Sequence, residues 1–571
     1  MQPQWWQTAV FYQIYPRSFA NSTGDGVGDL GGIIDKLDYL RDLGIDALWL
    51  SPLYPSPLYD CGYDVADYTG IAPEYGTMDD FRRFLEEAHD RDIRVILDLV
   101  LNHTSHEHPW FRASRVSRDH PKRDWYVWHD PAPDGGPPNN WSASFGGPAW
   151  EYDALTGQYY YHFFLKEQPD LNWRNPEVKR AVFDEVRTWL DIGVDGFRLD
   201  AIDTIFEHPD MPDHEADYTQ DELIQAFKEA GFNRANPELM KQWQKMFEYQ
   251  VRQPGIHQLF KDLRALIDEY DDRMLVGETS DPAYYGEGDD ELHLAFNFPL
   301  MRTDRLTPEW IRQNQQMRLT ALPEGAWPCN TLGNHDVSRV YSHFSDGEHD
   351  DELARLSLAL MLTLRGTPFL YNGEEIGMTD YLLEDITDFQ DLVGMWFYHL
   401  LRDVAGLPAE QAVLAANQRG RDKCRTPVQW ANAPHGGFCP PDVEPWLPVN
   451  PNYAKGINVA DQVDDPDSML NFYRTMLAAR KDTPALILGD YKALHEDAED
   501  YLAFLRTTED QTCLVVLNYS DEAHTLSFDL DAYVADASLA SLIVSNRDRP
   551  ATADPTDLAI APFEIYIAEV H

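Results

Sequence analysis

Short, almost wholly apolar runs alternate with amphipathic helical stretches from the first residues onward, and that alternation leaves few folds open. Val10 to Tyr15, Ala47 to Leu50 and Arg94 to Val100 read as the first three strands, with helical patterns such as Asp79 to His89 between them. Strands apolar at successive positions are buried on both faces, as in a parallel sheet covered by helices. The alternation stops over 104–173, which is rich in Pro, Gly, Trp and Tyr and carries PAPDGGPPNNW at 131–141. An irregular insertion after the third strand is expected there. The pattern resumes at Asn175, which can cap a helix that Pro176 opens and that Val178, Val182, Val186 and Leu190 stripe. GFRLDAI (196–202), MLVGET (274–279), LAFNFPL (294–300), WPCNTLGNHD (327–336) and TPFLYNGEE (367–375) read as strands four to eight. Eight strands with intervening helices predict an α/β chain built on a (β/α)8 TIM barrel. From about Tyr491, YLAFLRTT, TCLVVLNYS, TLSFDLD, SLIVSN and FEIYIAEVH follow one another without helices. They predict a C-terminal antiparallel β domain, a β-sandwich. The expected organisation is a barrel over 1–103 and 174–487, the insertion over 104–173, and the C-terminal domain over 488–571.

Charge excludes several partners. The 571 residues hold 97 Asp and Glu against 46 Lys and Arg, a formal net charge of −51. Such a surface repels nucleic acid and anionic membranes. Lysine is scarce and most of the positive charge is arginine. Adaptation to high salt accounts for this balance, since screening relieves self-repulsion; a merely acidic, well-solvated surface is the competing account. The five cysteines, Cys61, Cys329, Cys424, Cys439 and Cys513, are scattered and show no C-x-x-C spacing, which argues against a zinc site or a disulfide framework. The first residues lack a basic start followed by a long apolar run, and no stretch of 18 apolar residues occurs, so neither a secretory signal nor a membrane span is expected. A cytoplasmic monomer or homodimer is the default expectation, with a mature secreted form as the alternative.

In such a barrel the functional side chains sit at the C-terminal strand ends. Strand three ends at Asn102-His103, strand four at Asp200, strand five at Glu278 and strand seven at Asn334-His335-Asp336. Three acids and two histidines therefore converge on one mouth. Glycoside hydrolysis uses two carboxyl groups across the scissile bond, about 5–5.5 Å apart when configuration is retained, and passes through a cationic state. Arg198 and Asp200 are two apart on one strand and share a face, so the guanidinium lowers the carboxyl's pKa and favours Asp200 as nucleophile. Glu278 has no cation adjacent in sequence, and an apolar wall with negative neighbours keeps it protonated as the acid/base. A structural Arg198–Asp200 ion pair is the bland account.

DLVLNHTS (98–105), GFRLDAI, VGET and NHD resemble, in order, the four motif regions of the α-amylase superfamily. QPDLN (168–172) is similar to a fifth region, typical of its oligo-1,6-glucosidase and α-glucosidase branch. The likeness extends through VFYQIYPRSF, GYDVADY, GRDKCRTPVQW and EPWLPVNPNY, nearly the whole chain. It implies Asp200 as nucleophile, Glu278 as acid/base and Asp336 as transition-state stabiliser. It implies that His103 and His335 bind glucosyl hydroxyls, that Arg198 partners the nucleophile, and that Asp60 and Tyr63 hold the non-reducing glucose. Arg425 is then the arginine that pairs with Asp60 and closes the subsite, and closure means exo-action. Phe145 and Phe164 resemble pocket walls, with core packing as the competing account. The family's cation loop reads here as Asn21, Thr23, Asp25, Val27 and Asp29, oxygen donors at every second position that suit Ca2+ or Mg2+. Asn21 and Thr23 replace stronger ligands, and a metal-free glycine turn is the alternative. No organic cofactor is implied.

Within this branch Ala201, directly after the nucleophile, accompanies α-1,4 or broader action, which points to maltose, short maltooligosaccharides or sucrose over isomaltose. An α-glucosyltransferase using the same three acids is the alternative; an Arg-Leu-Asp-Arg-Asp-type loop, found in sucrose-isomerising relatives, is not recognised. Non-catalytic partners of membrane transporters share the barrel but lose catalytic acids and carry an anchor, unlike this sequence.

Overall fold

A computed structural model describes residues 3–230, 236–534 and 537–571. Eight parallel strands form the barrel: β1 (Phe11–Ile14), β2 (Ala47–Leu50), β3 (Arg94–Val100), β4 (Gly196–Asp200), β5 (Met274–Gly277), β6 (Leu294–Ala295), β7 (Cys329–Thr331) and β8 (Thr367–Tyr371). Hydrogen-bonded neighbours run β7-β8-β1-β2-β3-β4-β5-β6. Among the described residues no backbone ladder joins β6 to β7, so the ring is nearly closed. Side-chain amides span that seam: Asn297 Nδ2 donates to Asn314 Oδ1 at 2.8 Å and to Asn330 Oδ1 at 3.2 Å, and Asn314 Nδ2 donates back to Asn297 Oδ1 at 3.0 Å.

Period-two alternation divides the strands between two cores. Phe11, Trp49, Ile96, Val276 and Phe369 pack together inside the barrel. Tyr12, Leu48, Leu50, Val95, Leu97, Phe197 and Leu275 face the surrounding helices. Asp98, Arg198 and Asp200 follow the inward phase of Ile96 and Gly196, and Asp98 is the register partner of Arg198 across β3 and β4. The helix Pro176–Ile192 starts as the sequence predicts: Asn175 accepts from the Glu177 amide, and Val178, Val182, Val186 and Leu190 are buried.

Three expected strands are shorter than their apolar runs. β6 stops at Ala295 because Pro299 enters a helical turn at Phe298–Met301. β7 pairs only over Cys329–Thr331: Pro328 has no N–H to donate at its start, and the run leaves the sheet at Leu332. Of TLSFDLD only Thr525 and Leu526 pair, in a strand that starts one residue earlier at His524. In the C-terminal region Asp490–Leu494, Tyr501–Thr507, Thr512–Asn518, Ile565–Val570, Ala540–Ser545 and Thr552–Ala553 form one sheet, with His524–Leu526 and Leu558–Ile560 as a separate pair.

Between β3 and Pro176–Ile192, the segments Trp128–His129, Trp150–Asp153 and Gln158–Tyr161 make a small antiparallel sheet. Its core of Val127, Trp141, Trp150, Tyr161 and Phe163 is shared with Leu223, Leu239, Met246 and Phe247, from the helices that follow β4. Two long insertions thus pack as one body above the C-terminal strand ends. Among the described residues no helix is long and apolar enough to cross a membrane.

Candidate active site

A cavity of about 500 Å3 opens at those strand ends, and Asp60, Tyr63, His103, Phe145, Phe164, Asp200, Ala201, Glu278 and Asp336 all line it. Arg198, fully buried beneath the floor, binds three carboxyl groups at once. Its Nη1 lies 2.6 Å from Asp98 Oδ1 and 2.7 Å from Asp200 Oδ1, and its Nη2 lies 2.8 Å from Glu278 Oε2. The Ala201 amide donates to the same Glu278 oxygen at 2.9 Å, from a left-handed backbone (φ 46°) that an alanine seldom adopts. One guanidinium thus ties Asp200 and Glu278 into a single wall.

This corrects two expectations. Glu278 has no cation beside it in sequence, yet Arg198 reaches it in space. Nor does Arg198 hold Asp200 in the low carboxylate range: burial pushes that carboxyl well up, Arg198 pulls against it, and the charges of Glu278 and Asp98 add to the rise. Asp98 is pushed to about 6, again by burial against the pull of Arg198. Asp98 and Asp200, both buried, thus share one guanidinium and both sit above the usual carboxylate range.

Asp336 is treated differently. Burial works against its charge, but it is held well below the usual carboxylate range. His335 adjoins it, yet burial keeps that imidazole neutral, so the guanidiniums of Arg421 and Arg425 carry the effect. Arg425 Nη2 lies 2.7 Å from Asp336 Oδ1. The expected Arg425–Asp60 pair is therefore not formed. Arg421, one helical turn earlier, takes that place: its Nη2 lies 2.7 Å from Asp60 Oδ1 and 2.6 Å from Asp391 Oδ1. Asp60 and Arg421 side chains are 8% and 13% exposed, against 52% for Arg252, so the pair marks the inner end of the cavity and Arg252 its mouth.

The two histidines part company as well. His103 lines the cavity, and burial lowers it to about 4; its Nε2 meets Gln168 Nε2 at 2.9 Å, and Gln168 also donates to Asp60 at 3.1 Å. His335 is fully buried behind the wall, with Gln13 Nε2 at 2.7 Å from Nδ1 and the Tyr63 hydroxyl at 2.6 Å from Nε2. Fully buried and outside the cavity lining, His335 makes no direct contact with a sugar in this arrangement. Tyr63 also donates to Asp98 at 3.0 Å, linking the two acid clusters. Phe145 and Phe164 both wall the cavity, 5.4 Å apart between ring centroids, and Phe164 also packs against the core of the insertion.

Residues 13–489 match the family described as alpha amylase, catalytic domain, and residues 491–567 match the maltogenic amylase C-terminal domain. The chain belongs to the α-amylase family. It is similar to an oligo-1,6-glucosidase of Parageobacillus thermoglucosidasius, 38% identical over all of both chains. A probable alpha-glucosidase of Rhizobium meliloti is 41% identical, over 91% of this chain and 90% of its own. Among solved structures, the trehalulose synthase of Pseudomonas mesoacidophila MX-45 superposes with a TM-score of 0.88 at 35% identity, over all of both chains.

Sequence reasoning missed Asp98, Arg421, Asp391 and Gln168. Asp98 had a signal, a lone carboxylate in the apolar run RVILDLV. Arg421 did not, because Arg421 and Arg425 lie four apart in GRDKCRTP and only the fold separates them. Arg302 also lines the mouth, in the run Arg302-Thr303-Asp304-Arg305-Leu306, which matches the Arg-Leu-Asp-Arg-Asp pattern at three of its five positions and has Leu306 in place of the second aspartate.

The expected cation loop converges. Asn21 Nδ2 lies 3.1 Å from Thr23 Oγ1, 2.9 Å from Asp25 Oδ1, 2.6 Å from the Val27 carbonyl and 3.3 Å from Asp29 Oδ2, while Asn21 Oδ1 is buried without a partner. A half-turn of that amide sets a fifth oxygen among the four, a donor set that fits a hard cation. Among the described residues no group of three or more His, Cys, Asp or Glu is placed to hold a metal, so carboxylates alone do not make this site.

Proposed function

We propose that this α-amylase family glycoside hydrolase is a retaining, exo-acting α-glucosidase that frees α-glucose from the non-reducing ends of short α-glucosides. One observation carries the reading: Arg198 ties Asp200 and Glu278 into one wall of a cavity whose inner end is shut by Asp60 and Arg421. Glu278 Oε2 is engaged by Arg198 and the Ala201 amide, so Oε1 is the oxygen that meets the departing group. Asp200 attacks the anomeric carbon as Glu278 protonates the departing oxygen; a glucosyl ester forms and the glycosidic bond breaks. Glu278 then takes a proton from water, which displaces Asp200 and restores the α configuration. Asp336, kept ionised by Arg421 and Arg425, faces the cationic transition state. Identifying the anomer by NMR as glucose is released tests this; β-glucose as the first product overturns it.

The small Ala201 at the cavity supports α-1,4 over α-1,6 linkages, so kcat/KM on maltose exceeds that on isomaltose. A second reading is α-glucosyl transfer to a sugar acceptor, favoured by Arg302 at the mouth and by the likeness to a protein named trehalulose synthase. Incubation with sucrose separates the two: glucose and fructose support hydrolysis, a rearranged disaccharide supports transfer. In this reading the 21–29 loop holds a structural Ca2+ or Mg2+, and the enzyme works without partners, as a monomer or homodimer. Its five buried, unpaired cysteines suit the reducing cytoplasm.

A further inference from the structure

A pocket needs a roof as well as walls. Phe145 reaches the cavity on the insertion loop, and the next residue, Gly146, lies flat against the indole of Trp396. A Cβ on Gly146 stands 2.3–2.5 Å from three atoms of that ring, and φ at Gly146 is +101°, so only glycine permits this approach. Trp396 belongs to the helix Leu392–His399, which follows β8 and is apolar along most of its length, yet buries only Gly394. Val393 of the same helix lines the cavity.

The base of this helix is bolted to the inner end of the site. Asp391, its N-cap, accepts from the Arg421 amide at 2.8 Å and from its guanidinium at 2.6 and 3.1 Å. Gly394 meets Gly420, immediately before Arg421, so closely that a Cβ on Gly420 comes within 3.0 Å of the Gly394 Cα. The Arg421 guanidinium in turn lies 5.8 Å from the Phe145 ring centroid. These contacts form a closed circuit: Phe145-Gly146, Trp396, the helix, Asp391, Arg421 and back to Phe145.

We propose that the Gly146–Trp396 contact is the clasp that turns an open cleft into a pocket, and that Trp396 is the residue restricting the enzyme to chain ends. The insertion follows β3 and the Trp396 helix follows β8, three places apart in the ring of eight strands. Joined, they leave a chain no passage across the acids, and only a terminal glucosyl unit fits between Asp60 and Asp200. Parted, they free the helix whose Asp391 holds Arg421, so the end shut by Asp60 and Arg421 loosens with it and a groove opens for an uninterrupted chain. The proposal rests on the exo-acting reading above and adds the device that enforces it.

The test uses two substrates without a free non-reducing end, β-cyclodextrin and a maltoheptaoside capped at that end, beside aryl α-glucoside as a control. Trp396→Ala and Gly146→Ala, the second forcing the same two surfaces apart from the other side, are expected to raise turnover of both end-less substrates by about tenfold or more over wild type. Activity on the aryl glucoside, retained within about threefold, reports that the variants fold and keep their acids. Wild-type cleavage of the capped substrate sinks the exo-acting reading itself. End-less substrates inert in wild type and equally inert in both active variants sink the clasp alone.

Discussion

Arg198 divides one positive charge among three carboxyl groups, so each acid answers to the others. Asp200→Asn is expected to lower kcat by about 10³-fold or more with the fold intact, as seen by an unchanged Tm. Glu278→Gln is expected to slow maltose hydrolysis far more than that of activated aryl glucosides, which need little protonation; equal losses contradict the acid/base assignment. The two neighbouring arginines separate by kinetics. Arg421→Ala breaks the buried pair with Asp60 and is expected to raise KM by about 100-fold. Arg425→Ala removes the partner of Asp336 and is expected to fall mainly on kcat. Away from the acids, Glu374 is buried with Oε1 unpartnered, and burial pushes it up to about 8. A carboxyl raised in the folded state is held most favourably while protonated, and that advantage is lost as pH rises from its unfolded value of about 4.3 toward 8. Glu374→Gln is therefore expected to match wild type in Tm near about pH 4 and to exceed it progressively toward about pH 8.

Among elements, legibility followed the hydrogen-bonding demands of the backbone. β2 and β3 coincide with their apolar runs because both are flanked by paired strands along their length. The run that predicts β6 overshoots because Pro299 opens a helical turn, and the start of β7 is trimmed because Pro328 has no N–H to donate. The three acids were legible because a strand end fixes where a side chain emerges. The choice of Arg421 over Arg425 was not, since it depends on where a loop places each arginine, and neither was the burial of His335 behind Tyr63. The 21–29 loop lies between these cases: its spacing was readable, its occupancy was not. Chelation is expected to lower Tm by a few degrees, and added Ca2+ or Mg2+ to restore it; an unchanged Tm favours the metal-free turn.

For the whole molecule, an excess of 51 negative charges makes self-repulsion a standing term in stability. Raising KCl from low to molar concentration is expected to raise Tm, and a Tm indifferent to salt assigns the acidity to solubility alone. Buried positive charge is placed with care against this background: Arg480 and Arg506, between barrel and C-terminal sheet, rest on the carbonyls of Leu362, Thr363, Leu486, Ile487, Gly366 and Gly489 rather than on acids. The two units are thereby joined by contacts that salt screens little. The unlatched joint between β6 and β7 has an opposite consequence. A cylinder sewn along seven edges and merely buttoned along the eighth with three asparagines has a preferred place to part, so amide deuteration should invade there before it reaches the opposite side, where β2 and β3 are stitched into neighbours on both flanks.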